Sequence, residues 1–311
     1  MKRWVAIMIA LVFLHAVAAA QTVPPSGATR TLEKQLNQII AAHHGHVAVW
    51  AKNLQTGQVV AIEADTPVQT ASVIKLPIML EAFHQRKDGK LDLAKRITLT
   101  KDDQVSGSGL LPFLDPGLAL TVNDAIVLMM TVSDNTATNL VIDQVTIPAV
   151  NARATALGLK DTYLYKKVYK PPVGPMPADQ KKFGLGKTTA REMGQVMEAI
   201  ARCELHDAAL CARMIEIMKN QQFRYMIPRY LETADTSEEG SAIADKIGEL
   251  DHVRNDVALV ETRAGPIVIS VFTWENKDAS WSPDNEAYFT IAKVAKAIVD
   301  AWSPQGIGKA K

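Results

Sequence analysis

Thr70-Ala71-Ser72-Val73-Ile74-Lys75-Leu76-Pro77 is the stretch on which the reading of this 311-residue chain turns. It opens an apolar segment over residues 72–86, closed by Asp88-Gly89, which reads as a helix with a serine in its first turn and a lysine one turn on. The serine hydroxyl then lies at the positive end of the helix dipole, and Lys75 stands over the same face. A lysine so placed can accept the serine proton if its own pKa is lowered. The same residues also fit a plain N-cap serine beside an exposed lysine, and Ser-x-x-Lys arises about once by chance in a chain of this size. Local sequence alone favours that plainer reading, so other segments have to decide.

Working outward, the middle of the chain is helical, over residues 121–130 behind a Thr-x-x-Asp cap, then 135–145 and 148–157. Residues 188–201 and 207–220 return to helix. Near the start, residues 31–42 carry Leu32, Leu36, Ile39 and Ile40 at helical spacing. Short apolar segments at 46–50 and 58–62 then flank Asn53-Leu54-Gln55-Thr56-Gly57, a hairpin pattern. Three strands follow late in the chain, at 243–248, 256–261 and 266–274, before an amphipathic helix at 285–302. Strands from both ends cannot bury their faces as separate hairpins. The expected fold is therefore α/β (α+β): one antiparallel sheet of about five strands built from both chain ends, flanked by helices, with an inserted all-α lobe. Residues 158–187 hold four prolines and no convincing period, so they read as a long loop, functional or mobile.

Composition narrows the function classes. Lys and Arg number 34 against 33 Asp and Glu, which leaves no strong electrostatic case for nucleic acid. Hydrophobic residues make up 48%, too many for disorder. Lys2 and Arg3 precede an apolar run from Trp4 to Ala20, broken only by His15 and ending in Ala18-Ala19-Ala20. That is the pattern of a secretory signal peptide cleaved near Ala20, favoured over a retained anchor, with residues 21–311 forming a single domain of a secreted or periplasmic protein. No later stretch reaches spanning length without polar interruption. Cys203 and Cys211 would lie about 12 Å apart on one unbroken helix, too far to bridge. Glu204-Leu205-His206-Asp207 reads as a turn between them, so a disulfide and two half-buried thiols both stay open.

Four further segments bear on chemistry. His43-His44-Gly45-His46 sits at a helix-to-strand junction without acidic or cysteine neighbours and reads as a solvated turn rather than a metal site. Gly186-Lys187-Thr188 lacks the earlier glycine and the leading strand of a phosphate-binding loop. Ser133-Asp134-Asn135 falls between two apolar helices, where it can cap and can also turn a hydroxyl and an amide toward a cleft. Lys-x-Gly occurs at Lys87, Lys182 and Lys246, and only Lys246-Ile247-Gly248 ends an apolar strand, where glycine lets backbone approach a ligand closely.

In this order the three motifs resemble the Ser-x-x-Lys, Ser-Asp-Asn and Lys-Thr-Gly set of class A β-lactamases and penicillin-binding proteins. Ser106-Gly107-Ser108-Gly109-Leu110-Leu111 and the run from Thr131 to Leu140 are similar too. The resemblance implies Ser72 as acylated nucleophile, Lys75 as its proton acceptor, and Ser133 as the relay to the leaving nitrogen with Lys246 beside it. It implies an oxyanion hole from the backbone N–H groups of Ser72 and Glu249, Asn135 on the substrate amide, and Gly248 lining the substrate. Two lysines facing one cleft should lower at least one pKa by repulsion. Arg254 is a candidate for a substrate carboxylate, with an exposed strand-end charge as the equal alternative. No cofactor is implied. The expected partner is a small β-lactam or D-alanyl peptide, with no nucleic acid, no stable membrane span after processing, and a monomeric state.

Two departures qualify the resemblance. Ile247 replaces the family's hydroxyl residue, and the loop has no glutamate to activate a deacylating water: none occurs from Gln144 to Arg191. Val168 or a neighbour falls where that glutamate belongs, and Asp161 and Asp179 fall elsewhere. The expected activity is an acyl-enzyme formed on Ser72 and released slowly. A D-alanyl-D-alanine peptidase-like or small-acyl esterase activity, or a sensor without turnover, is the alternative.

Overall fold

The computed structural model describes residues 27–232 and 241–308; the leader expected at 1–20 lies outside the described residues. In chain order the elements are α1 (Gly27–Ala41), β1 (His46–Asn53), β2 (Val59–Ile62), β3 (Val68–Gln69) and a 3₁₀ turn (Ala71–Ile74) that runs into α2 (Lys75–Lys87). β4 (Arg96–Thr98), β5 (Ala119–Thr121), α3 (Val122–Thr131), α4 (Asn135–Val145) and α5 (Ile147–Ala156) come next. β6 (Tyr163–Leu164), α6 (Gln180–Phe183), β7 (Gly186–Thr188), α7 (Ala190–Ala201) and α8 (Ala208–Lys219) lead to β8 (Ile243–Leu250), β9 (Val253–Val260), β10 (Ile267–Trp274) and α9 (Glu286–Trp302).

The main sheet is five-stranded and antiparallel, in the order β2-β1-β10-β9-β8, so it joins both ends of the chain as expected. Alternation along its strands feeds two cores. On one face Val49, Ile269 and Val271 meet Leu32 and Leu36 of α1 and Ile291 and Ile298 of α9. On the other, Ala48 and Phe272 meet the helical lobe through Met193 and Met197 of α7, with Phe83, Ile126 and Val141 behind them. Helix starts follow the local chemistry: Thr121 accepts from the Asp124 amide at 3.0 Å while Asp124 accepts from the Thr121 amide at 2.8 Å. Asp207 and Asn285 cap α8 and α9 through the Leu210 and Ala287 amides.

Three differences from the sequence reading have physical causes. The helix expected from Ser72 begins as a tight 3₁₀ turn, entered through Ala71 at φ 45°. β1 continues past Trp50 to Asn53, whose side chain stops it by accepting from the Gln55 and Thr56 amides, both at 2.9 Å. β9 starts at Val253 because Arg254, Asn255 and Asp256, which break the apolar pattern, are nonetheless fully buried. The long loop is also not without structure: β6 and β7 join β3 in a small sheet, elements too short to show a period. Cys203 and Cys211 form a disulfide across the corner between α7 and α8, with Cα atoms 5.5 Å apart. The turn there passes through Cys203 and His206, both at φ 55°. His43 corrects the solvated-turn reading: it is buried, with its ring nitrogens 2.9 Å from Asn276 Oδ1 and 3.1 Å from Thr290 Oγ1.

Candidate active site

The site lies where the free edge of β8 meets the helical lobe. Ile243 and Ile247 of β8 face the α1/α9 core while Ala244 faces the lobe, and alternation puts Lys246 and Gly248 on Ala244's side. Gly248 is pressed against the 3₁₀ turn so closely that a Cβ there would stand 2.8 Å from Thr70 O and 2.9 Å from the amide nitrogens of Ser72 and Val73. Only glycine fits that approach. Asn255, opposite Gly248 on β9, ties the turn down from below by donating to Gln69 O and Thr70 O at 3.0 and 3.2 Å.

Between α3 and α4, Ser133 adopts φ 55°, a left-handed conformation that is costly for a residue with a Cβ. Asp134 secures it. Its carboxylate accepts from Leu110 and Leu111 amides at 2.7 and 2.8 Å and from the Ala137 amide at 2.8 Å, so one side chain caps α4 and anchors the neighbouring loop. The turn aims Ser133 and Asn135 at Lys75. The Lys75 ammonium donates to Ser133 O at 2.7 Å, to Ser133 Oγ at 3.0 Å and to Asn135 Oδ1 at 3.0 Å. Lys246 donates to the same Ser133 Oγ at 3.1 Å and to Ile247 O at 2.8 Å. One hydroxyl is thus held between two lysine ammonium groups.

Both lysines are fully buried. Burial, then repulsion by Lys246, drives the Lys75 pKa well below its ordinary value, with Asp134 opposing. Burial lowers Lys246 to about 8, against the pull of Asp245, Glu249 and Asp256. The repulsion foreseen from the sequence is present, but desolvation is the larger cause.

Half-buried Ser72 lines two cavities, which also share Ser108, Glu249 and Trp281. The smaller, about 220 Å³, is bordered by Ser133, Ile247, Gly248 and Tyr225. The larger, about 610 Å³, runs toward the loop and is bordered by Asn135, Lys166, Val168, Tyr169, Phe183 and Leu185. The 158–187 loop therefore forms a wall of the catalytic cavity. Val168, 7% exposed, occupies that wall with its backbone clamped by Asn139: its amide donates to Asn139 Oδ1 at 2.8 Å and its carbonyl accepts from Nδ2 at 3.0 Å.

Ser72, Lys75, Ser133, Asn135, Lys246 and Gly248 thus converge as the motifs suggested. Glu249 borders both cavities, and its carboxylate accepts from Tyr225 and Tyr288 hydroxyls at 2.7 and 2.5 Å. Arg254 lies beneath the site rather than at its surface. It is 0% exposed, donates to the carbonyls of Leu250, Val253 and Ser280, pairs with Glu249 at 3.6 Å, and stacks 4.6 Å from the Trp281 ring. It is not among the residues lining either cavity, so both the carboxylate-binding and the exposed-charge expectations meet a buried side chain that reaches the site through Trp281. Sequence reasoning missed Asn139, Tyr225 and Trp281; Asn139 gave no signal in a helix that also holds Asn135, Thr136, Thr138, Asp143 and Gln144.

A half-buried serine that shares a cavity with Ser133, whose hydroxyl lies between two buried lysines, presents the groups that serine acyl transfer of the Ser–Lys type requires. The chain belongs to the β-lactamase enzyme family, whose model matches residues 31–302. It is 29% identical to a β-lactamase from Sphaerobacter thermophilus whose structure covers 87% of this chain and 96% of that one, with a TM-score of 0.75. It shares the fold of an acyl-enzyme complex of a leucine-to-glutamate variant of PBP-A with penicillin G, at 23% identity, 88% and 96% coverage and a TM-score of 0.73. A curated relative, β-lactamase regulatory protein BlaB of Streptomyces cacaoi, is 24% identical over 84% of this chain and 94% of its own length.

Proposed function

We propose that the protein is acylated on Ser72 by β-lactams and releases the acyl group slowly. The observation that carries this is the asymmetry of the two cavities that share Ser72: on one, Ser133 Oγ sits 3.0 and 3.1 Å from two lysines of lowered pKa, whereas on the other the loop wall presents Val168. In acylation, neutral Lys75 takes the proton of Ser72 Oγ as that oxygen bonds the acyl carbon. The C–N bond of the donor breaks, and the nitrogen receives a proton through Ser133, which Lys75 restores. The amides of Ser72 and Glu249 are the proposed oxyanion donors, and such a donor is typically worth about 3–4 kcal/mol. Deacylation needs a base for water, and the loop wall supplies no carboxylate.

Mass spectrometry of the intact protein after incubation with a penicillin tests this. A long-lived adduct that is lost in Ser72→Ala is the expected result; fast turnover by the wild type would show that another base activates water. Kinship to a protein named as a β-lactamase regulator favours, as second reading, a sensor acylated once per signal. Multiple turnover of a D-alanyl-D-alanine peptide or thioester would instead indicate a peptidase. The disulfide supports the export proposed from the leader pattern, because such bonds persist in oxidising compartments.

A further inference from the structure

The loop wall carries a charge that no step of the acylation uses. Tyr163, Tyr165 and Lys167 line an outer cavity of about 860 Å³ on the far side of the loop. Val168 and Tyr169 line the catalytic cavity, and Lys166 borders both, so here the loop is one chain thick. Three other lysines of the loop are engaged: Lys167 pairs with Asp143, Lys170 donates to Asp102 O at 2.7 Å, and Lys187 lies 3.1 Å from Asp179. Half-buried Lys166 has no acceptor within hydrogen-bonding or ion-pair distance among the described residues.

Among the residues lining the larger catalytic cavity, Lys166 is the one cation and Glu249 the one carboxylate. Glu249 is already bound by Tyr225, Tyr288 and Arg254, which leaves Lys166 as the charge without a paired counter-ion in a loop wall that also presents Val168, Tyr169, Phe183 and Leu185; the carboxylates of Asp102, Asp103 and Asp143 border only the outer cavity. The direction of a bound donor follows from Ser133. It borders the smaller cavity and protonates the leaving nitrogen, so the leaving group occupies that side and the acyl arm extends into the larger, loop-side cavity.

We propose that Lys166 is a specificity-determining residue that receives a carboxylate on the acyl arm of the donor, making acidic acyl compounds the preferred substrates. The inference rests on the acylation reading above. A single charge in a low-dielectric cleft focuses counter-charge toward it, and a half-desolvated ammonium gains most from an anionic partner.

The test is a matched pair of penicillins, benzylpenicillin and its 4-carboxybenzyl analogue, which differ by one carboxylate on the acyl arm. Acylation rate constants are measured for wild type, Lys166→Met, Lys166→Glu and Lys167→Met, and the readout is the ratio of carboxylated to neutral donor. The wild-type ratio should be about tenfold, the low end of electrostatic focusing in a cleft, and should shrink as ionic strength rises. Lys166→Met should bring it to about one and Lys166→Glu below one, while Lys167→Met, on the outer side, keeps the wild-type ratio. An equal ratio in wild type and Lys166→Met overturns the inference while Ser72 acylation stands. No adduct from either penicillin overturns the acylation reading, and this inference with it.

Discussion

The two walls of the catalytic cavity are built differently. The wall made by β8, the 3₁₀ turn and the Ser133–Asn135 turn is dense and internally bonded: Lys75 and Lys246 are fully buried, and Asp134 accepts three backbone amides. The loop wall is held at scattered points along its length, by Glu192 at residues 160–162, Asn151 at Leu164, Asn139 at Val168, Asp143 at Lys167 and Asp179 at Tyr165 and Lys187, and it leaves Tyr169 64% and Val173 89% exposed. Proton transfer to and from lysine needs strong desolvation to bring the pKa down, so the proposed acylation chemistry is assigned to the dense wall. Water activation would have to come from the other wall, which offers an aliphatic side chain. On the proposed function, the first half of a hydrolytic cycle is better provided for than the second.

The largest expected effect breaks the dense wall at its nucleophile. Ser72→Ala should remove the penicillin adduct and lower acylation by about 10⁴- to 10⁶-fold, and an adduct that survives the change would move the chemistry to another residue. Adding to the loop wall what it lacks comes next. Val168→Glu, with its backbone still clamped by Asn139, should shorten the lifetime of the adduct by about 10²–10⁴-fold. An adduct equally long-lived in both proteins would mean that something other than the missing carboxylate limits release.

Gly248→Ala probes the contact between strand and turn. Its Cβ would press on backbone at 2.8 and 2.9 Å and displace the Ser72 amide, so acylation should fall by about 10²–10³-fold with a stability loss of about 1–3 kcal/mol. Acylation by the wild type should rise with pH through the lowered Lys75 pKa, because only the neutral amine accepts a proton. It should fall above about pH 8, where Lys246 loses the charge that holds Ser133, by about tenfold per pH unit. Lys246→Arg, which stays charged, should move that alkaline limb upward; an unmoved limb would assign it to another group. The smallest effect lies outside both walls. Replacing Cys203 and Cys211 with serine should cost about 2.5 kcal/mol in urea denaturation and leave the acylation rate unchanged.

Much of this was legible in the chain. Helices α3, α4, α8 and α9 start within one residue of the capping residues that announce them, because a cap is a contact between positions three apart or fewer. The three motifs could be picked out because each sits at a recognisable element end. What escaped notice was long-range. Asn139 reaches Val168 across 29 residues and Tyr225 reaches Glu249 across 24, and neither contact leaves a local pattern. Arg254 reads equally as a carboxylate binder or a strand-end charge because no local pattern reveals that Trp281 and Ser280, 26 and more residues on, help to enclose it. The corner at Cys203 admitted two answers until the chain was seen to turn there at positive φ.

Periodicity and caps were enough to determine the sheet drawn from both chain ends and the helical lobe, since these depend on neighbours along the chain, and the order of three distant motifs made Ser72 the proposed nucleophile. Only the tertiary structure decided what the nucleophile can do. Ser133 lies 58 residues from Lys75 and 113 from Lys246, and it is the burial of both amines where these segments meet, with repulsion by Lys246 added at Lys75, that lowers them. Desolvation and charge repulsion depend on distance in space, a quantity that a linear pattern of residues does not contain.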